Sequence, residues 1–209
     1  MPYKVKYTNE FESWFDELSA RTQDDVSRVV NMLVAHGPLL PYPYCSGVTQ
    51  SRHGRMRELR IQSGGRPIRV FYAFDPRRTA VILLGGYKTH PKRFYDDYVR
   101  RADLIYDRHL NTMVRERPTH SDEPSAMTLR DWSELTKHWS PERKAANERA
   151  KVKLREDIRR LQAQARKEGR HPGDPPSAAS PSRPETPSYP VESRRRPARD
   201  DGRDFGPGR

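Results

Sequence analysis

Three short strand-like runs, separated by dipeptides that favour tight turns, constrain the fold of this chain more than any other feature. The runs cover residues 57–61, 67–74 and 79–84, and Gly64–Gly65 and Asp75–Pro76 lie between them. Runs of this length that are rich in β-branched and aromatic residues are typical of strands, and such dipeptides connect antiparallel neighbours. The sequence therefore predicts a sheet built from consecutive hairpins.

The segments on either side of these runs predict one further strand and three helices. Residues 3–7 alternate aromatic or apolar side chains with lysines, which indicates a half-buried strand. Thr8 or Asn9 can cap a first helix, and apolar spacing predicts a second helix over 22–35 and a third over 91–110. The order indicates an α+β fold, with two N-terminal helices and one C-terminal helix on a small, largely antiparallel sheet.

Composition limits the size of this folded unit. Hydrophobic residues make up 33% of the chain and charged residues another 33%, with 19 prolines. Such a chain buries too little apolar surface for one domain of its full length, so a domain of about a hundred residues fits better. The predicted organisation is a domain over 1–112, a linker over 113–126, a helical segment over 127–170, and a Pro/Arg/Gly-rich disordered tail over 171–209.

The composition and the lengths of the apolar runs also argue against several classes of protein. Cys45 is the only cysteine, so an internal disulfide is excluded and a reducing cytoplasm is expected. No clustered His/Cys motif predicts a metal site, and no cofactor is expected. The longest apolar run, over 80–84, is too short to cross a bilayer, so no membrane association is expected.

Positive charge is concentrated in the strand region. Residues 52–93 contain eleven Lys and Arg and only two acids, Glu58 and Asp75, in a chain whose net charge is +12. A basic surface of this kind is typical of proteins that bind phosphate groups of nucleic acid. The basic residues lie on strands and no recognition-helix pattern is present, so RNA is favoured over DNA.

These basic residues, with nearby tyrosines and histidines, are suited to cleaving RNA without a metal. A base must activate a 2′-hydroxyl, a cation must stabilise the charged phosphorane, and an acid must protonate the leaving oxygen. Arg binds two phosphate oxygens at once, and Lys, Tyr and His can transfer protons where the site adjusts their pKa values. The candidate catalytic residues are Arg57, Arg60, Arg69, Tyr72 and Lys88. The candidate RNA-binding residues are Arg52, His53, Arg55, Tyr87, His90, Lys92 and Arg93.

Strand geometry warns against placing all of these side chains in one site. Successive residues of a strand point to opposite faces, so Arg60 should face away from Arg57, and Tyr72 away from Arg69. The alternative to a catalytic role for Tyr72 is a structural position in the core. The alternative for each arginine is a position on a solvent-exposed basic face.

Residues 1–112 resemble the phage-derived HigB-like toxins of the RelE superfamily. The matching stretches are 8–18 (TNEFESWFDEL), Gly37–Pro38, 51–53 (SRH), 56–60 (MRELR), 69–76 (RVFYAFDP), 80–86 (AVILLGG) and Lys88–Thr89. The resemblance implies a RelE-like fold and a type II toxin that cleaves mRNA, commonly at the ribosome, with no metal cofactor. Family-type basic residues fall at Arg57, Arg60, Arg69 and Lys88.

One position departs from the pattern of that family. Gly85–Gly86 is expected to form a turn after the third strand-like run, and members of the family often have an acid between this turn and the lysine, where this chain has Tyr87. If the acid accepts a proton or orients the lysine, activity is weakened or rearranged here, and Tyr87 would serve only as an acid or a stacking platform.

The segment after the linker carries a second resemblance. Trp132, Leu135, a helix start at Ser140–Pro141, and apolar residues spaced four, three and four apart over 154–165 make residues 127–170 similar to the N-terminal part of a HigA-type antitoxin. In that family a DNA-binding helix-turn-helix would follow, but here the tail follows. The hypothesis is a toxin fused to a truncated antitoxin, with the tail translated out of frame.

Three functions are compatible with these observations. The favoured one is a ribosome-dependent endoribonuclease toxin whose partners are mRNA, the ribosome and a HigA-like antitoxin, with DNA bound only through the antitoxin complex. The second is a noncatalytic RNA-binding or regulatory protein. The third is a self-inhibited fusion in which the helix over 141–168 covers its own basic face, although that helix is itself net basic.

Overall fold

The computed structural model describes residues 2–115 and 128–176, apart from the side chains at positions 91, 92 and 153. Its elements run β1 (Val5–Tyr7), α1 (Asn9–Asp16), α2 (Ala20–His36), β2 (Cys45–Gly47), β3 (Met56–Ser63), β4 (Arg66–Phe74), β5 (Ala80–Tyr87), α3 (Pro91–Arg115), β6 (Arg130–Asp131), α4 (Trp132–Leu135) and α5 (Pro141–Lys167). A short 3-10 turn, Gly37–Leu39, follows α2. The predicted α+β class is confirmed.

The six strands form one sheet in the order β2-β3-β4-β5-β1-β6. The β2–β3, β3–β4 and β4–β5 pairs are antiparallel, as the turn dipeptides predict, whereas β1 pairs parallel with β5. Gly64 and Gly65 both have positive φ in the β3–β4 turn, a conformation that glycine adopts without steric cost. The sequence did not reveal β2 and β6, which are only three and two residues long.

Helices cover both faces of the sheet. Leu59, Val70 and Ile82 pack in the core cluster that includes residues of α1 and α2. Phe71 and Leu83 pack in a second cluster with residues of α3. The residues of β5 from Ala80 to Gly86 are buried, because a central strand with both faces covered needs apolar side chains at successive positions. We call the two sides the α1–α2 face and the α3 face.

Gly85 and Gly86 lie within β5, so their assignment to a turn after the strand was wrong. A Cβ on Gly85 would overlap the ring of Trp14, and a Cβ on Gly86 would overlap the ring of Tyr98. Glycine occurs here because aromatic side chains approach the strand closely from neighbouring helices, which is a second reason for glycine in a strand besides a turn.

Side-chain caps fix the predicted starts of two helices. The Thr8 hydroxyl accepts a hydrogen bond from Phe11 N at 3.3 Å and donates one to the carbonyl of Leu83 at 2.6 Å, so it joins α1 to β5. The Ser140 hydroxyl accepts from Arg143 N at 3.2 Å, and Pro141 occupies the first turn of α5. Both caps leave fewer unpaired amide groups at a helix start.

The segment over 128–176 packs on the α1–α2 face. Trp132, Trp139 and Ile158 are buried in the same core cluster as Phe11 and Phe15. Polar contacts add to this packing. Arg143 Nε lies 2.7 Å from Asp24 Oδ1, and Trp132 Nε1 donates to Asn31 Oδ1 at 3.1 Å. Strand β6 extends the sheet by pairing with β1. This segment therefore shares the core of the N-terminal part of the chain.

The predicted domain boundaries relate to the described residues as follows. Helix α3 continues to Arg115, five residues beyond its predicted end and into the predicted linker. Residues 116–127 and 177–209 lie outside the described part of the chain. Of the predicted tail, residues 171–176 are described, and the carbonyl of Pro172 accepts a hydrogen bond from Tyr42 N at 2.8 Å. Among the helices of the described ranges, none has the length and apolarity needed to cross a membrane.

Replacing Gly85 with alanine should destabilise the protein. The new methyl group must displace the Trp14 ring, and overpacking of this kind costs about 1–3 kcal/mol of the free energy of unfolding. Chemical denaturation measures the change. The control is Gly47→Ala in β2, where an added Cβ meets nothing within 4 Å. Equal stability of the two variants would contradict the close approach of Trp14.

Candidate functional site

The pairing of β3 with β4 separates the predicted catalytic residues into two sets. Arg60 and Arg69 are direct cross-strand partners, and so are Arg57 and Tyr72. Partners on adjacent strands project to the same side of a sheet, whereas residues three apart on one strand project to opposite sides. Arg60 and Arg69 therefore share the α3 face, and Arg57 and Tyr72 share the α1–α2 face.

A buried ion pair organises the α3 face. Glu58 and Arg69 are only 3% and 5% exposed, and Arg69 Nε lies 3.2 Å from Glu58 Oε1. Arg69 Nη1 donates to the carbonyl of Ile68 at 2.9 Å. Ser46 Oγ donates to Glu58 Oε1 at 3.0 Å and Tyr95 Oη to Glu58 Oε2 at 2.8 Å. The ion pair is thus held by groups from β2, β3, β4 and α3.

Lys88 lies beside this pair, between the end of β5 and the start of α3. Its Nζ lies 5.0 Å from the centre of the Tyr95 ring, which is within the range of a cation–π contact. Burial lowers the pKa of Lys88, as do the positive charges of Arg69 and Arg60, while Glu58 opposes them. Lys88 is therefore easier to deprotonate than an ordinary lysine, a property that suits proton transfer.

Tyr95 has the opposite electrostatic environment. Burial, the negative charge of Glu58 and the hydrogen bond to Glu58 raise the pKa of Tyr95 to about 12. Its hydroxyl is therefore protonated at neutral pH and acts as a hydrogen-bond donor.

Aromatic rings surround these charged groups. The guanidinium of Arg60 lies 4.9 Å from the centre of the Tyr42 ring. Phe94 stacks on Tyr98 with centroids 4.3 Å apart, and Phe94 meets Tyr95 edge-on at 5.5 Å. The result is a cluster of basic groups beside aromatic rings, centred on Glu58. We call Glu58, Arg60, Arg69, Lys88 and Tyr95 the Glu58 cluster.

The sequence was compared with known proteins. Residues 13–107 match the family described as "Phage derived protein Gp49-like (DUF891)". "Putative toxin HigB2" of Mycobacterium tuberculosis is 34% identical over 108 residues, which are 51% of this chain and 54% of the relative. "Putative toxin HigB3" of the same organism is 39% identical over 93 residues, which are 44% of this chain and 80% of the relative. This chain belongs to the Gp49-like family.

We call the matched region, 13–107, the Gp49-like domain. It contains the whole Glu58 cluster. The match covers only about half the length of the first of the two relatives. The resemblance to HigB-like toxins that the sequence motifs indicate is supported for this domain.

The second set of predicted catalytic residues lies across the sheet. Arg57 Nη2 donates to the Sγ of Cys45 at 3.3 Å. Tyr72 is fully buried in the core of the α1–α2 face, and its hydroxyl has no hydrogen-bond partner. Burial raises the pKa of Tyr72 well above its ordinary value. Arg57 and Tyr72 are therefore not brought together with Arg60, Arg69 and Lys88.

Two of the predicted RNA-binding residues hold a loop against the far part of α3. Arg52 forms an ion pair with Asp107, and His53 Nε2 lies 2.8 Å from Asp107 Oδ1. Asp107 follows Tyr95 by twelve residues, which is roughly 18 Å along a helix. His53 is thus remote from the Glu58 cluster.

The remaining predicted RNA-binding residues are distributed around the domain. Tyr87 packs with the core of the α1–α2 face, and Arg66 lies 4.4 Å from the centre of its ring. His90 is exposed, and its carbonyl accepts from Phe94 N at 2.8 Å at the start of α3. Arg93 is exposed and lies 3.9 Å from Asp97. Arg55 lines a separate pocket, and the side chain of Lys92 is outside the described residues.

Sequence reasoning missed two members of the cluster, Glu58 and Tyr95. Glu58 is one of only two acids within 52–93 and lies in the middle of a strand-like run. A carboxylate in such a position is buried only if it is paired, and this was the available signal. Tyr95 gave no comparable signal, because tyrosines also occur at neighbouring positions of α3.

Replacing Glu58 with glutamine should destabilise the protein and change two pKa values. Arg69 would remain buried without its carboxylate, which costs about 3–5 kcal/mol of the free energy of unfolding. The pKa of Tyr95 should fall from about 12, and the pKa of Lys88 should fall further, because Glu58 raises both. Denaturation and NMR titration measure these changes.

The control for this prediction is Glu10→Gln. Glu10 pairs with Arg108 on the surface, and its loss should change the free energy of unfolding by less than about 1 kcal/mol. A Glu58→Gln variant as stable as Glu10→Gln, with an unchanged Tyr95 pKa, would contradict the described ion pair.

Proposed function

We propose that this chain is the toxin component of a type II toxin–antitoxin system, and that it is a cytoplasmic, metal-independent endoribonuclease that cleaves mRNA at the ribosome. The names of the two relatives support a toxin. The observation that carries the enzymatic part of the proposal is the convergence of Arg60, Arg69 and Lys88 around Glu58 and Tyr95.

The proposed reaction is an attack of the 2′-hydroxyl on the neighbouring phosphorus. The O2′–P bond forms and the P–O5′ bond breaks, leaving a 2′,3′-cyclic phosphate and a 5′-hydroxyl. Lys88 in its neutral form accepts the 2′ proton, which its lowered pKa favours. Tyr95 supplies a proton to O5′, since its phenol remains protonated at neutral pH.

The arginines and Glu58 have different roles in this scheme. Arg60 is partly exposed and binds the phosphate oxygens, stabilising the phosphorane through its planar fork. Arg69 is buried against Glu58, so it acts mainly through electrostatic stabilisation. Glu58 already accepts hydrogen bonds from Ser46 and Tyr95 and forms an ion pair with Arg69. It is therefore a positioning residue.

RNA reaches this cluster along the start of α3. The helix N-terminus favours anions, and exposed His90 and Arg93 lie close to it in the chain. In this proposal these two residues bind the phosphates that flank the scissile one. A HigA-like antitoxin is the expected protein partner.

A second candidate function is a toxin restrained by its own C-terminal segment, and the docking of residues 128–176 favours it. Helix α5 packs on α2, and its Leu154 lines the same pocket as Arg60 and Arg69 of the Glu58 cluster. Near the end of the segment, the carbonyl of Pro172 accepts a hydrogen bond from Tyr42 N, and the Tyr42 ring lies on Arg60. In this proposal the segment restrains the cluster through Tyr42.

The first experiment compares full-length protein with its Lys88→Met variant. Both are expressed under tight control in a bacterial host, and new mRNA 5′ ends are mapped. Cleavage should fall by about 10²–10⁴-fold in the variant, which lacks the proton-transferring group. Arg149→Met on the exposed side of α5 is the matched control and should cleave normally. If folded wild type cleaves no mRNA, either as the full-length protein or as residues 1–118, the noncatalytic RNA-binding alternative replaces the proposal.

The second experiment compares full-length protein with residues 1–118. The shorter form should arrest growth more strongly if the C-terminal segment restrains the toxin. Full-length Ile158→Asp should behave like the shorter form, because an acid at this fully buried position would undock α5. Soluble protein is quantified in each case. Equal toxicity of all three soluble forms would contradict the restraint.

A further inference from the structure

A second basic pocket lies where β3 begins and β4 ends. Its volume is about 490 Å³, within the range of small-molecule sites. Arg55, Arg57 and Arg78 line it, together with the rings of Tyr3 and Phe74. None of the five residues of the Glu58 cluster lines this pocket, so it is a separate feature of the surface.

Arg57 is the most buried cation of this pocket, since Arg55 and Arg78 are exposed. Its Nε is enclosed and has no hydrogen-bond partner, and the hydrogen bond of Nη2 goes to the weak acceptor Cys45 Sγ. Within 2–115 and 128–176, no carboxylate lies within 4.0 Å of this guanidinium, in contrast to Arg69 with Glu58. Burial disfavours this charge, and Cys45 and Tyr72 offset the burial and raise the pKa of Arg57, but neither is a carboxylate, so a phosphate would be the first acidic partner of this guanidinium.

The space beside Arg57 is open because its cross-strand partner is a glycine. Gly47 of β2 pairs directly with Arg57, and an added Cβ at Gly47 would meet nothing within 4 Å. A side chain at this position would lie about 4.5–5.5 Å from the Cβ of Arg57. At the position of Gly47, therefore, no side chain fills the room beside Arg57, whereas Cys45 and Gly173 lie against its Nη2.

The one carboxylate that lines the pocket is already engaged. Asp75 Oδ1 accepts from Thr79 N at 2.9 Å, and Asp75 Oδ2 lies 3.2 Å from His109 Nε2. Arg55 and Arg78 are exposed at the mouth of the pocket. Three guanidinium groups against one engaged carboxylate favour phosphate, which they bind through paired N–H groups.

We propose that this pocket binds the phosphate of a ribonucleotide, with half-buried Arg57 as its anchor and Tyr3 and Phe74 as apolar walls for the nucleoside. The phosphate can come from a free nucleoside monophosphate or from the 5′ end of an RNA fragment. The site is independent of the Glu58 cluster and of any cleavage there.

The test uses the full chain and isothermal titration with AMP. Gly47→Glu would place a carboxylate beside Arg57 and should weaken AMP binding by about tenfold or more, because it supplies the missing counter-ion. Gly47→Gln adds a neutral side chain of the same size and should bind more tightly than Gly47→Glu. Arg149→Met on the exposed side of α5 should bind AMP as wild type does. AMP contains no internucleotide bond, so its binding is measured independently of the proposed cleavage.

A short 5′-phosphorylated oligoribonucleotide identifies the source of the phosphate. Binding of AMP, of the oligoribonucleotide or of both, weakened by about tenfold or more on Gly47→Glu and kept on Arg149→Met, supports the pocket. Gly47→Glu should unfold at a temperature no lower than Gly47→Gln, which excludes misfolding as the cause. The proposal is overturned if wild type binds neither probe, or if Gly47→Glu binds them as wild type does.

Discussion

The buried ion pair between Glu58 and Arg69 is the interaction on which the arrangement of charge in this domain depends. An arginine at the centre of a sheet is tolerated only with a partner, and Glu58 on the neighbouring strand provides one. The same carboxylate bonds Tyr95 and so joins α3 to the sheet. Lys88 then lies among charges that are already fixed, and its chemistry is determined by them.

Much of the fold follows from local sequence. The hairpins, the Thr8 and Ser140 caps, and the amphipathic helices each depend on residues close together in the chain, and the structure confirms them. The error at Gly85 and Gly86 has a physical cause. Glycine marks both a turn and a close approach, and the approaching rings of Trp14 and Tyr98 are distant in sequence.

The candidate site was less predictable, because it depends on register. Alternation along β3 shows that Arg57 and Arg60 face opposite sides, but only the pairing of strands shows which residues of β4 join them. One basic stretch in sequence thus becomes two separate basic sites. The long-range contact between Glu58 and Tyr95 could not be inferred from spacing, and the roles of the predicted residues remain predictions.

Strand β6 also has a consequence for how the chain behaves in concentrated solution. It covers the backbone of β1, pairing Lys6 with Asp131 and Tyr7 with Arg130. Without it, β1 would present unpaired amide and carbonyl groups, which can recruit a strand from another molecule. The two residues of β6 therefore cover the edge of the sheet at β1. The C-terminal segment thus disfavours aggregation through β1, as well as sharing the core of the N-terminal part of the chain.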